Sequence, residues 1–91
     1  MITAKMSDGF SIELEEDALD ARALEDLAKM EKDGTRLFSL LDRVLGEENK
    51  AKLYQHLETE KGKVPLEALC LALNELLTSF QAGKNSASSP N

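Results

Sequence analysis

The strongest constraint on this chain is a parity rule in its first fourteen residues. Ile2, Ala4 and Met6 alternate with polar neighbours. So do Phe10, Ile12 and Leu14, with Ser7-Asp8-Gly9 between the two runs. A period of two marks a strand with one buried face. A two-residue loop at Asp8-Gly9 would oppose Ser7 to Phe10 and Met6 to Ser11, setting apolar against polar on each face. A three-residue loop opposes Met6 to Phe10, Ala4 to Ile12 and Ile2 to Leu14, so that all six apolar side chains share one face. Gly9 then falls where such a loop needs a left-handed residue. The parity predicts a β-hairpin over about residues 2–14 with that register.

After Leu14 the pattern turns helical. A first helix is expected over Ala18 to Asp33, capped by Asp17, with Leu19, Ala23, Leu27 and Met30 as its stripe, Leu24 at the stripe's edge, and Gly34 as its stop. Thr35 is the expected cap of a second helix, Arg36 to Leu45, ended by Gly46. Its apolar residues Leu37, Phe38, Leu40, Leu41, Val44 and Leu45 cover roughly 160° of its surface, wider than a single stripe. That width makes the helix either central to the domain or part of a contact surface. A third helix, Glu47 to Thr59, turns Ala51, Leu53, Tyr54 and Leu57 inward. Lys61-Gly62-Lys63 reads as a turn, and Pro65 suits the first position of a fourth helix that runs to Ala82 and stops at Gly83. Leu66, Leu69, Cys70, Leu73, Leu76, Leu77 and Phe80 form its stripe.

The expected fold is therefore mainly α (α+β): a hairpin followed by four short helices in one compact domain over residues 1–83, with 84–91 a disordered polar tail. With 42% apolar residues but only Phe10, Phe38, Tyr54 and Phe80 aromatic, the core must be mostly leucine.

Composition removes several functions. The net charge is −6, and the eleven Lys and Arg are interleaved with acids, so no basic footprint for nucleic acid or anionic membrane is visible. The single cysteine, Cys70, allows no intrachain disulfide and fits a reducing compartment. The longest apolar run is Ala68 to Leu73, too short for a membrane span, and the first residues lack the apolar core of a signal peptide. A cytoplasmic location is expected.

No catalytic, cofactor or metal site is expected either. One His and one Cys cannot supply four ligands to a structural zinc. His56 lies off the Leu53–Leu57 stripe and reads as a surface residue, whereas Cys70 sits in an apolar stripe and reads as core. Placing Gly62 at the glycine of an EF-hand loop puts Leu57, Lys61 and Ala68 at ligand positions, which rejects calcium binding of that kind. The pairs Glu15-Glu16 and Glu47-Glu48 sit at expected helix starts, where the helix dipole accounts for them.

One residue departs from this economy. Leu71 projects about 160° from the centre of the fourth helix's stripe, among Glu67, Asn74, Glu75 and Thr78. Together with the broad second-helix face it suggests apolar surface available to a partner or to a second copy of the chain. The candidate protein-binding residues are Phe38, Leu41, Leu45 and Leu71.

Four stretches carry a family resemblance: Phe10-Ser11-Ile12-Glu13-Leu14, Val44-Leu45-Gly46-Glu47-Glu48, Gly62-Lys63-Val64-Pro65-Leu66-Glu67-Ala68-Leu69 and Gly83-Lys84-Asn85-Ser86-Ala87-Ser88-Ser89. In that order the chain resembles the small tail assembly chaperones of long-tailed phages and prophages of Gram-positive hosts. The resemblance implies a non-enzymatic role in virion assembly in the host cytoplasm. It implies binding to the helical tape measure protein, with the tail tube protein as a second partner, and absence from the finished particle. It also implies a longer form made by a −1 ribosomal frameshift, for which Gly83-Lys84-Asn85 is codable as GGA AAA AAC, containing the slippery heptamer A AAA AAC. The alternative is another small acidic helical adaptor or regulatory protein-binding module.

Overall fold

The computed structural model describes the backbone of residues 1–88 and the side chains of residues 1–84. It is an α+β domain: a two-stranded hairpin, β1 (Ile2–Lys5) and β2 (Ser11–Leu14), then helices α1 (Ala21–Lys29), α2 (Arg36–Leu57) and α3 (Leu66–Ser88).

The hairpin has the register that parity requires. Ile2 opposes Leu14, Ala4 opposes Ile12, and all four are buried. Met6 and Phe10 close the ladder, half-buried on the same face, with the Met6 amide donating to the Phe10 carbonyl at 2.8 Å. Gly9 has φ 99 and donates its amide to the Met6 carbonyl, while Asp8 Oδ1 accepts from the Phe10 amide.

Three helices follow, not four. The expected second and third are one element, α2, kinked at Gly46 with φ 77 and ψ 172. Only glycine holds that backbone region readily. Gly46 therefore breaks the regular helix where the sequence placed a stop, and the segments on either side, 36–45 and 47–57, continue as one kinked element. The first half of α2 is central to the fold: Leu37, Leu40, Leu41, Val44 and Leu45 are all buried, and α2 touches α1, α3 and β2. Beyond the kink Leu53 is buried and Tyr54 and Leu57 half-buried, but Ala51 is exposed, contrary to expectation.

The first helix is also shorter than expected. Asp20, not Asp17, is its cap, its carboxylate accepting the Ala23 amide at 2.9 Å. Residues 15–18 form a turn closed by the Ala18 amide on the Glu15 carbonyl. Thr35 occupies the N-cap position of α2, as expected, but makes no side-chain capping bond, because its hydroxyl and amide are both held by the Asp33 carboxylate. That pair of bonds, the hydroxyl first, keeps the Asp33 carboxyl below its ordinary 3.8.

Helix α3 passes through Gly83 and reaches Ser88. Gly83 does not end the helix. A Cβ there would lie 2.9 Å from Ile2 Cγ2, so the missing side chain lets α3 close against β1. The expected disordered tail, 84–91, thus begins as helix, and residues 89–91 lie outside the described residues. The α3 stripe holds at Leu69, Leu73, Leu76, Leu77 and Phe80, which with Ala72 are buried against the hairpin and α2. Its two outliers are Leu66, on the first turn and 59% exposed, and Cys70, which is exposed.

Candidate protein-binding surface

The structure separates the four residues singled out from the sequence. Leu41 and Leu45 belong to the core, at 0% and 5% exposure, and present nothing to a partner while the domain is folded. The wide apolar face of α2 exists because α1, α3 and the hairpin all lean on it. Phe38 and Leu71 do reach the surface, at 45% and 66% exposure, on different helices.

Leu71 belongs to a larger feature. Between Glu67 and Lys84 every exposed residue of α3 is uncharged: Cys70, Leu71, Asn74, Thr78, Gln81 and Ala82. In a chain with 31% charged residues, such a face is conspicuous. Helical spacing puts Leu71, Asn74 and Thr78 in one row, at i, i+3 and i+7. That row borders a gap between α3 and α1. One hollow of about 470 Å³ is lined by Leu27 of α1 with Asn74, Leu77, Thr78 and Gln81 of α3. A second, of about 280 Å³, is lined by Leu19, Leu24, Phe80 and Lys84, and shares Gln81 with the first. Leu24 stands 47% exposed on the far wall. The result is a shallow trough with leucine walls and neutral polar groups along one lip. Such a trough takes apolar side chains and offers hydrogen bonds from neutral groups, with the single cation Lys84 at one end.

A few charged groups of the domain join its elements. Asp26 is 3% exposed and was not expected inside. Arg36 Nη1 and Arg43 Nε, both from α2, each donate to it at 3.0 Å, so this carboxylate clamps α1 onto α2. A buried acid bracketed by two arginines is stable only because both oxygens are paired. His56 stays at the surface but is not idle: its Nε2 lies 2.8 Å from Asp8 Oδ2, and its ring stacks on Phe10 with centroids 4.4 Å apart. The hairpin tip is thereby tied to the second half of α2. That hydrogen bond, ahead of the one from the Phe10 amide, holds the Asp8 carboxyl below its ordinary 3.8.

Among the described residues, no group of three or more His, Cys, Asp or Glu side chains is arranged to hold a metal ion, and no helix is long and apolar enough to cross a membrane. Cys70 is exposed on the neutral face of α3, and His56 is engaged by Asp8 at the hairpin tip.

No protein-family model, curated protein or solved structure matches the chain.

Proposed function

We propose that this chain is a non-enzymatic tail assembly chaperone of a long-tailed phage or prophage, and that it holds the helical tape measure protein in the α1–α3 trough. The observation that carries the reading is the neutral face of α3, where Leu71, 66% exposed, stands in one row with Asn74 and Thr78, which line the hollow opposite Leu27 of α1. An amphipathic helix laid along it would seat apolar residues spaced i, i+3, i+4 and i+7 against those leucines. The net charge of −6 keeps such a protein soluble while the trough is occupied. The resemblance of the four ordered stretches supplies the identity of the client, with the tail tube protein as second partner and the host cytoplasm as the place of action. On this reading the chaperone leaves before the particle is complete.

The proposed frameshift at Lys84-Asn85 gains a structural meaning. Helix α3 runs to Ser88, so an extension replacing residues 86–91 would grow from a helix end beside the trough. A gene whose codons break the heptamer removes this part of the proposal.

Co-expression tests the whole. A tape measure segment that is insoluble alone should become soluble and co-purify with this chain. A Leu71→Asp variant that remains folded should lose the complex. A segment that stays insoluble, or one that binds Leu71→Asp normally, contradicts the reading.

A further inference from the structure

The two edges of the hairpin differ. In an antiparallel ladder, residues alternate between those that direct N–H and C=O at the partner strand and those that direct them away. The Met6–Phe10 bond fixes the alternation: Ile2, Ala4 and Met6 face β2, while Thr3, Lys5 and Ser7 on one side and Ser11 and Glu13 on the other face outward. On the β1 side α3 caps the outward amides of Lys5 and Ser7, leaving only that of Thr3 without a partner among the described residues. The Lys5 amide donates to Ser79 Oγ at 2.9 Å and the Ser7 amide to Glu75 Oε1 at 3.0 Å. On the β2 side Asn49 Nδ2 donates to the Glu13 carbonyl at 3.0 Å, and among the described residues nothing caps the outward amides of Ser11 and Glu13. Both residues are exposed. An uncapped edge is a template for another strand.

A groove follows this edge. About 340 Å³ lies between β2 and α2, and it continues into a second hollow of about 500 Å³, the two sharing Met1, Glu13, Glu48 and Asn49. Six carboxylates line the combined groove: Glu13, Glu15, Asp17, Asp20, Glu47 and Glu48. Three cationic groups oppose them: Arg43, held by Asp26, Lys52, held by Glu48, and the amino group of Met1.

We infer that the β2 edge is a strand-addition site for an extended, lysine- or arginine-bearing segment of a partner protein. The added strand takes the Ser11 N–H and C=O and the Glu13 N–H, and replaces the Asn49 amide at the Glu13 carbonyl. Every second side chain of that strand points to the same face, so a basic residue at alternate positions meets the carboxylates of the groove. Charge selects this occupant over a second copy of the chain, whose β2 would bring Glu13 and Glu48 against their own counterparts. The site is separate from the α1–α3 trough and stands whether or not the trough binds a tape measure helix.

The test titrates acetyl-(Lys-Val)3-amide into the ¹⁵N-labelled full chain. The Ser11 and Glu13 amides should shift and gain protection from exchange. The same peptide N-methylated at alternate amides, and acetyl-(Glu-Val)3-amide, should each bind at least about tenfold more weakly. Ser11→Pro removes an outward donor without removing a ladder bond and should abolish the response. Should Ser11→Pro fail to fold, the N-methylated peptide makes the same comparison on the native chain. Unchanged Ser11 and Glu13 amides at millimolar peptide, equal binding of the N-methylated or acidic peptide, or shifts confined to the α3 face would each overturn the inference. So would changes at Ser11 and Glu13 that follow protein concentration without peptide, since they would give the edge to a second copy.

Discussion

Alanine at Gly83 should reverse its effect on stability according to what stands at residue 2. Within a helix, Gly→Ala is favourable by about 0.5–1 kcal/mol. Here the new Cβ would meet Ile2 Cγ2 at 2.9 Å, closer than atoms of that kind approach. Cγ2 is fixed directly to the branched Cβ of Ile2, whose χ1 is stiff, so the strand or the helix must move. Overpacking of this sort costs about 1–3 kcal/mol. The clash wins, and Gly83→Ala should destabilise by about 1 kcal/mol, or about 4–8 °C in Tm for a domain of this size. Ile2→Ala alone should cost about 2 kcal/mol through lost burial. It also deletes Cγ2, so in that background Gly83→Ala should stabilise by about 0.5–1 kcal/mol. Urea unfolding of the four proteins, followed by far-UV circular dichroism with m-values compared, gives the coupling, expected at about 1.5–2 kcal/mol. If Gly83→Ala stabilises the parent chain, or the two changes add to within about 0.5 kcal/mol, the close approach of α3 to β1 is not why residue 83 is glycine.

Other outcomes follow from the same geometry. Gly46→Ala meets no atom within 4 Å, so its cost is backbone strain alone, about 1–3 kcal/mol, read by chemical denaturation; an unchanged midpoint would deny the kink. Asp26→Ala should lose about 1–3 kcal/mol, below the usual cost of breaking a buried pair, because Arg36 and Arg43 are 38% and 44% exposed and can turn to water. A loss above about 4 kcal/mol would mean the arginines are trapped. The Asp8 carboxyl, lowered in the folded state by His56 and then by the Phe10 amide, contributes stability that is present above its ordinary 3.8 and is lost as pH falls through its folded value. A ¹³C carboxyl titration should place it below 3.8, and His56→Ala should return it toward 3.8; an unmoved titration in that variant would detach His56 from the hairpin tip.

Local rules read this chain well, and tertiary ones did not. Hairpin register was legible because a one-residue slip would have put apolar side chains in water, so Ile2, Ala4, Ile12 and Leu14 could pair in only one way. Glycine was the ambiguous letter. Gly46 and Gly83 both follow apolar helical runs, as stops do, yet one kinks a helix and the other lets it approach a strand. Only the position of Ile2 in space separates those roles. The width of the α2 apolar face was correct, but width does not distinguish a central helix from a binding helix, so Leu41 and Leu45 went to the core and Phe38 to the surface. Leu71 was legible because it stands alone on a polar face. Its groove was not, since the opposite wall comes from Leu24 and Leu27, more than forty residues earlier. Asp26 left a faint trace: it sits three residues after Ala23 and four before Met30, inside the stripe of α1.

The neutral face of α3 carries its own reporter. Cys70 is the single cysteine, is exposed, and adjoins Leu71. Its alkylation rate in the free chain and in a purified complex with a tape measure segment measures directly whether the client lies on that face. Occupation of the trough should slow the reaction by about tenfold or more, with the thiol recovering as the complex dissociates. A Cys70 that reacts equally fast in a stable complex would place the client elsewhere and contradict the binding surface proposed for α3.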